Sequence, residues 1–219
     1  MRRLATFLMT VSVLLVFLGT GVWQLSRSRT YQVFGEIIPR VETTKPVLAL
    51  TFDDGPTSQA VNALLPILRS RNVKATFFVI GGELEGAPEL GQRIVGEGHE
   101  LGNHSYSHRR MVFKSLSFID QEIRRTDQII RSVGYEGKIP FRPPYGKKLL
   151  LLPYYLRAHG RPAVTWDVEP ESDAAIARNA DKIAEHVLAR VRTGSIVLLH
   201  PMYRSGKPSL DAVAKLSMD

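Results

Sequence analysis

Between residues 47 and 200, short apolar runs of β type alternate with helical patterns, and this alternation admits few folds. The strand candidates are Val47 to Phe52, Ala75 to Ile80, Glu100 to Asn103, Ile139 to Arg142, Ala163 to Val168 and Ser195 to His200. Between them, Val61, Leu64, Leu65 and Leu68 recur on one helical face, and Ile119, Ile123, Ile130 and Val133 mark a second. Asn179 is placed to cap a third helix carrying Ile183, Val187 and Val191, with Gly194 as its left-handed terminator. Helical crossovers between strands pair those strands in parallel, so the expectation is an α/β chain. Its sheet or barrel carries the functional residues at the C-terminal strand ends.

Ahead of this unit, Leu4 to Leu25 runs 22 residues without a charge. At about 1.5 Å per residue a helix of that length reaches roughly 33 Å, enough to cross a bilayer core. The run is longer than the apolar stretch of a cleaved signal, so an uncleaved anchor at residues 1–25 is expected, with secretion after cleavage as the alternative. Residues 26–45 read as a connector, and residues 46–219 as the folded domain, placed outside the cytoplasm. The net charge of +8 resembles a nucleic-acid signature until its distribution is examined. Arg2, Arg3, Arg27 and Arg29 flank the apolar run and supply half of it, leaving an ordinary balance on the rest, so nucleic acid is not an expected partner. The absence of cysteine excludes thiol catalysis, cysteine-ligated metals and disulfides.

Four motifs carry chemistry. Thr51-Phe52-Asp53-Asp54-Gly55-Pro56-Thr57 sets two adjacent carboxylates at the end of an apolar strand. Neighbours on an extended chain point to opposite sides, so one can ligate a metal while the other handles a proton. Asn103-His104-Ser105-Tyr106-Ser107-His108 brings two imidazoles four apart, a spacing that suits two ligands of one cation. With an Asp oxygen they make a facial set that leaves positions open, as a catalytic metal requires. In Phe141-Arg142-Pro143-Pro144-Tyr145-Gly146, two prolines stiffen the chain beside an arginine able to hold a carboxylate ionised. The apolar run Ile196 to Leu199 delivers His200, a candidate general acid, at its end.

In this order the motifs TFDDGPT, HSYSH, RPPYG and IVLLH resemble the polysaccharide deacetylase family, carbohydrate esterase family four, built on the chitooligosaccharide deacetylase homology domain. The resemblance covers about residues 45–210. It implies a distorted (β/α) barrel, usually seven-stranded, and a divalent metal, commonly zinc and sometimes cobalt or another ion. The implied activity is release of acetate from N-acetylglucosamine polymers such as peptidoglycan, chitin-like oligomers or poly-N-acetylglucosamine. By resemblance Asp53 is the base, Asp54, His104 and His108 hold the metal, and Arg142 orients Asp53. The Tyr145 backbone N–H holds the oxyanion, Leu198 lines the acetyl pocket with Trp166 as its wall, and His200 is the acid. The expected partners are an acetylated polysaccharide and, through the N-terminal helix, a membrane, with no protein partner evident.

Two segments depart from the family pattern. After Trp166 the chain reads Asp167-Val168-Glu169-Pro170-Glu171, without the family's usual Asp-Trp ending. Glu169, or failing that Asp167, is the expected partner of His200. No strand pattern follows Ser209, so the barrel is expected to lack its last strand and to present an edge. The rival functions are an O-acetyl sugar esterase using the same base, and a wall-binding module without turnover.

Overall fold

The computed structural model describes residues 2–216, so 217–219 of the expected domain lie outside the described residues. In chain order the elements are α1 (Arg2–Arg27), β1 (Ile37–Ile38), β2 (Ala49–Asp53), α2 (Ser58–Ser70), β3 (Thr76–Val79), α3 (Gly81–Gly86) and α4 (Pro88–Gly96). They continue with β4 (Glu100–Asn103), α5 (Leu116–Ser132), α6 (Leu151–Ala158), β5 (Ala163–Val164), α7 (Ala180–Arg190), β6 (Ile196–Leu199) and α8 (Lys207–Lys215).

The sheet is parallel, in the order β4-β3-β2-β6, with β1 parallel to β5. Single bridges close the ring: Phe141 joins Asn103 of β4 to Ala163 of β5, and Val168 pairs with Val197 of β6. The fold is an α/β distorted barrel with six strands among the described residues. Strand burial follows from this closure. On β6, Ile196 and Leu198 pack inside the ring with Trp166, whereas Val197 and Leu199 face the helices.

The helix faces read from the sequence are the buried ones. Val61, Leu64, Leu65 and Leu68 of α2 are wholly buried, each contributing about 1.5–3 kcal/mol. Ile119, Ile123, Ile130 and Val133 are likewise buried along α5 and just beyond it. Asn179 caps α7, its side chain accepting from the Lys182 N–H at 3.0 Å. Gly194 has φ +79°, but it lies beyond the helix end, where a Cβ would meet the Val41 carbonyl oxygen at 1.9 Å. Its requirement is the close approach of residue 41 rather than helix termination.

Two expectations change. The strand expected over 139–142 reduces to the Phe141 bridge, because Pro140 and Pro143 on either side have no N–H to give a ladder. The connector, in turn, contains a strand. Residues 37–38 lie against β5, the Ala163 N–H donates to the Glu36 carbonyl at 3.0 Å, and that of Thr165 to Ile38 at 2.9 Å. Arg40 then bridges Ser195, so the side of β6 away from β2 is covered by residue 40 and Val168. The helix α1 touches the barrel through its last turns and is apolar from Thr6 to Arg27, with a mean hydropathy of 1.9 over its most apolar window and none of that window buried.

Candidate active site

Four chain segments meet at the C-terminal end of the barrel. β2 ends on Asp53, after which the chain turns sharply through Asp54 at φ 74°. β4 ends on Asn103, and its side chain builds the loop that follows: it accepts from the Ser105 N–H at 2.8 Å and donates to the Ile123 carbonyl and to Asp127. Glu122 of α5 completes the loop, accepting the N–H groups of Tyr106 and Ser107 at 3.0 and 2.8 Å and the Ser107 hydroxyl at 2.8 Å. With Ser105 at φ 65° and His108 at φ 54°, the loop holds backbone conformations that non-glycine residues adopt at a cost.

The result is a compact cluster. Ligand atoms of Asp54, His104 and His108 lie within 4.8 Å of one another. His108 Nε2 is 3.3 Å and His104 Nε2 3.8 Å from Asp54 Oδ1. His104 donates its Nδ1–H to the Arg142 carbonyl at 2.9 Å, which fixes the tautomer and leaves Nε2 as the free lone pair. Burial lowers the pKa of His104 to about 4 and also depresses that of His108, so both rings are neutral near pH 7. Asp54 Oδ1 is buried without a hydrogen-bond partner, an arrangement that costs free energy unless a cation takes the oxygen. Burial first, with Asp53 and other carboxylates adding to it against the opposing His200 charge, raises the Asp54 pKa to about 6. A divalent cation would relieve both strains, so these three side chains fit one.

Asp53 sits beside the triad but faces another partner. Arg142, wholly buried, donates to Asp53 Oδ1 at 2.6 Å, to the Thr51 hydroxyl at 2.9 Å and to the Thr165 carbonyl at 3.1 Å. Burial alone would raise the Asp53 pKa; the Arg142 charge and the nearby histidines override it, and the carboxyl is held below its ordinary value.

Across the site His200 donates Nδ1–H to Glu171, whose other oxygen accepts from the His200 N–H at 3.0 Å and from the buried Ser209 hydroxyl of α8. Burial works to lower the His200 pKa, but the Glu171 hydrogen bond and charge, then Asp53 and Asp54, raise it to about 9. Glu169 is therefore not the partner of His200. It accepts from Trp166 Nε1 at 3.0 Å and pairs with Arg29, while Asp167 accepts from the Ser195 hydroxyl and the Ile196 N–H.

Trp166 and Leu198 share one buried cluster, and a Cβ on Gly146 would meet the indole at 3.0 Å. Tyr145, at φ 59°, lays its ring 4.6 Å from that of His108. The residues singled out in the sequence, except Glu169 and its alternative Asp167, thus converge on one strand-end cleft. Glu171, Glu122, Ser209 and Arg29 were not foreseen. Only Glu171 left a trace, as a further carboxylate in the segment after Trp166.

The profile of the family described as polysaccharide deacetylase matches residues 40–164. The peptidoglycan-N-acetylglucosamine deacetylase of Listeria monocytogenes is 35% identical over 175 residues, 80% of this chain and 36% of that protein. This chain therefore spans little more than a third of that relative's length. A chitooligosaccharide deacetylase of Sinorhizobium fredii is 35% identical over 164 residues, covering 74% of this chain and 75% of its own. Among solved structures, the Bc1960 peptidoglycan N-acetylglucosamine deacetylase superposes with a TM-score of 0.73 at 34% identity, covering 79% of this chain and 80% of that one.

Proposed function

Because the chain belongs to the polysaccharide deacetylase family, we propose that it hydrolyses the N-acetyl groups of N-acetylglucosamine polymers, peptidoglycan first among them, and releases acetate. The observation that carries this reading is an acid and a base of opposed protonation flanking a two-histidine, one-aspartate triad. Arg142 keeps Asp53 ionised, and Glu171 keeps His200 protonated. Amide hydrolysis needs that combination, since a base must take a proton from water and an acid must give one to a poor amine leaving group.

Each side chain then has one task. A divalent cation held by Asp54, His104 and His108, zinc by the family resemblance, would supply Lewis-acid polarisation of the acetamide carbonyl and of the attacking water. Asp53 takes the proton of that water as its oxygen adds to the carbonyl carbon. The Tyr145 N–H donates to the oxygen on which negative charge develops. Leu198 and Trp166 form the apolar wall against the acetyl methyl, and His200 protonates the amine nitrogen as the carbon–nitrogen bond breaks. The helix α1 anchors the chain in the membrane with the barrel outside the cytoplasm, a reading supported by its length, its apolarity and the full exposure of its most apolar stretch.

The test is acetate release by the full chain in detergent from N-acetylglucosamine oligomers and from peptidoglycan. The expected outcome is release that a chelator stops and that zinc or cobalt restores. Asp53→Asn should lower kcat by on the order of 10²-fold or more. A metal-loaded Asp53→Asn chain with undiminished turnover would overturn the assignment.

A further inference from the structure

The face that surrounds the cleft is continuous with the end of α1. The ammonium of Lys147 lies 3.6 Å from the ring centroid of Trp23, in the last turns of α1, and is buried without a hydrogen-bond partner. The Lys148 N–H donates to the Ser26 carbonyl at 2.9 Å, and its ammonium to that of Ser28. From Lys147 the surface runs two residues back to Tyr145, whose ring is covered by the Arg110 guanidinium at 5.0 Å and stacks near His108. A shallow groove of about 600 Å³ continues from there along Arg109, Arg110, Phe113 and Lys114. Burial, then the charges of Arg27 and Arg110, depress the Lys147 pKa.

Two properties of this face are unusual for a surface in water. None of Arg27, Arg109, Arg110, Lys114 and Lys147 is paired with a carboxylate among the described residues. Large apolar side chains are exposed in the same segments: Phe113 is 84% exposed at φ 55°, a conformation that a bulky residue adopts only at a cost, and Tyr145, Leu150 and Leu151 are also exposed. Tryptophans at the ends of spanning helices sit at the level of lipid headgroups. A loop packed directly on Trp23 lies at that level too.

We propose that the rim of the cleft, from Lys147 through Tyr145 to Phe113, rests on an anionic bilayer surface, with the aromatic and leucine side chains entering the headgroup layer. This rests on α1 being a membrane anchor. The site then opens beside the bilayer and takes glycan chains lying against it. The exposed unpaired cations Arg27, Arg109 and Arg110 complement anionic lipid, each being worth about fivefold in the ratio of docked to undocked domain. An interfacial face of alternating basic and aromatic character is what such docking requires.

The chain has no cysteine, so single cysteines can be labelled without a background. Spin labels at Phe113→Cys, at Phe17→Cys within α1 and at Glu185→Cys on α7 would be read in the full chain. The protein would be reconstituted in nanodiscs of phosphatidylcholine alone or of an equal mixture with phosphatidylglycerol. The expected result is a label at 17 accessible to oxygen in both discs, a label at 185 accessible to an aqueous relaxing agent in both, and a label at 113 that leaves water only in the anionic discs. Arg109→Glu with Arg110→Glu should return the label at 113 to water. A label at 113 that stays aqueous in anionic discs while that at 17 is in lipid would overturn the docking and leave the anchor standing. A label at 17 outside lipid would remove the anchor, and the docking with it. Shielding of 113 by a soluble anionic glycan in neutral discs, but not by anionic lipid, would assign the face to glycan and refute the proposal.

Discussion

The three carboxylates of the candidate site each face a different neighbour. Asp53 meets a guanidinium and stays ionised, Asp54 is pushed up to about 6 by burial first and then by the neighbouring Asp53, and Glu171 meets an imidazole it keeps charged. The His200 assignment has a measurable sign. As an acid it must be protonated, and its pKa is raised to about 9 from 6.5, so kcat/KM should fall as pH rises through about 9. Glu171→Gln removes the charge that opposes burial, and the alkaline limb should move down toward or below pH 6.5, a shift read from the pH–rate profile. If the limb stays in place, His200 is not the acid. Glu122 touches no ligand atom but positions the loop bearing both histidines. Glu122→Ala should weaken metal binding about 10–100-fold, by competition with a chromophoric chelator, with secondary structure retained. Asp53, Asp54, His104, His108, Arg142 and His200 were legible because four motifs follow apolar strand runs in one order, and the resemblance that this order carries gave them their roles. The partner of His200 was not: three carboxylates crowd residues 167–171, and the tight turn over Pro170–Ser172 decides which of them reaches the imidazole.

At the scale of elements, the legible parts were those with long periodic patterns. The buried faces of α2, α5 and α7 and the apolar strands β2, β3 and β6 all follow from residue type and spacing. The two-residue β1 has no period to detect, and its pairing with β5 depends on residues far along the chain. The connector is nonetheless structural. Its Arg29 lies 5.0 Å over the Trp166 ring and pairs with Glu169, its Arg29 carbonyl accepts from the Thr165 hydroxyl at 2.7 Å, and Glu36 and Ile38 accept from β5. A chain shortened to begin at residue 41 loses these three hydrogen bonds, worth about 1 kcal/mol each. At about 2–4 °C per kcal/mol for a domain of this size, its Tm should fall by at least about 6 °C relative to the full chain, by calorimetry. A chain cut after Arg29 would also expose one face of Trp166, so activity assays are best made with residues 26–40 in place.

For the whole molecule, metal and fold are linked. A cation that binds the Asp54, His104 and His108 set in the folded state stabilises it by about 4 kcal/mol when free metal exceeds Kd a thousandfold. Chelation should therefore lower the Tm, and His104→Ala should abolish the difference between metal-loaded and chelated protein; an equal Tm with and without metal in the native chain would deny the site. The ring closure has a further consequence, in time rather than in energy. β1 precedes every other strand, yet its partner Ala163 and the bridge from Arg40 to Ser195 lie at the far end of the barrel. At roughly 5–20 residues per second, synthesis leaves residues 37–40 without a partner for on the order of ten seconds. Contacts of such long sequence separation form late and slowly. The first of these strands to be made thus waits for one of the last, and a ribosome must have released most of the barrel before the segment that follows α1 can find its place.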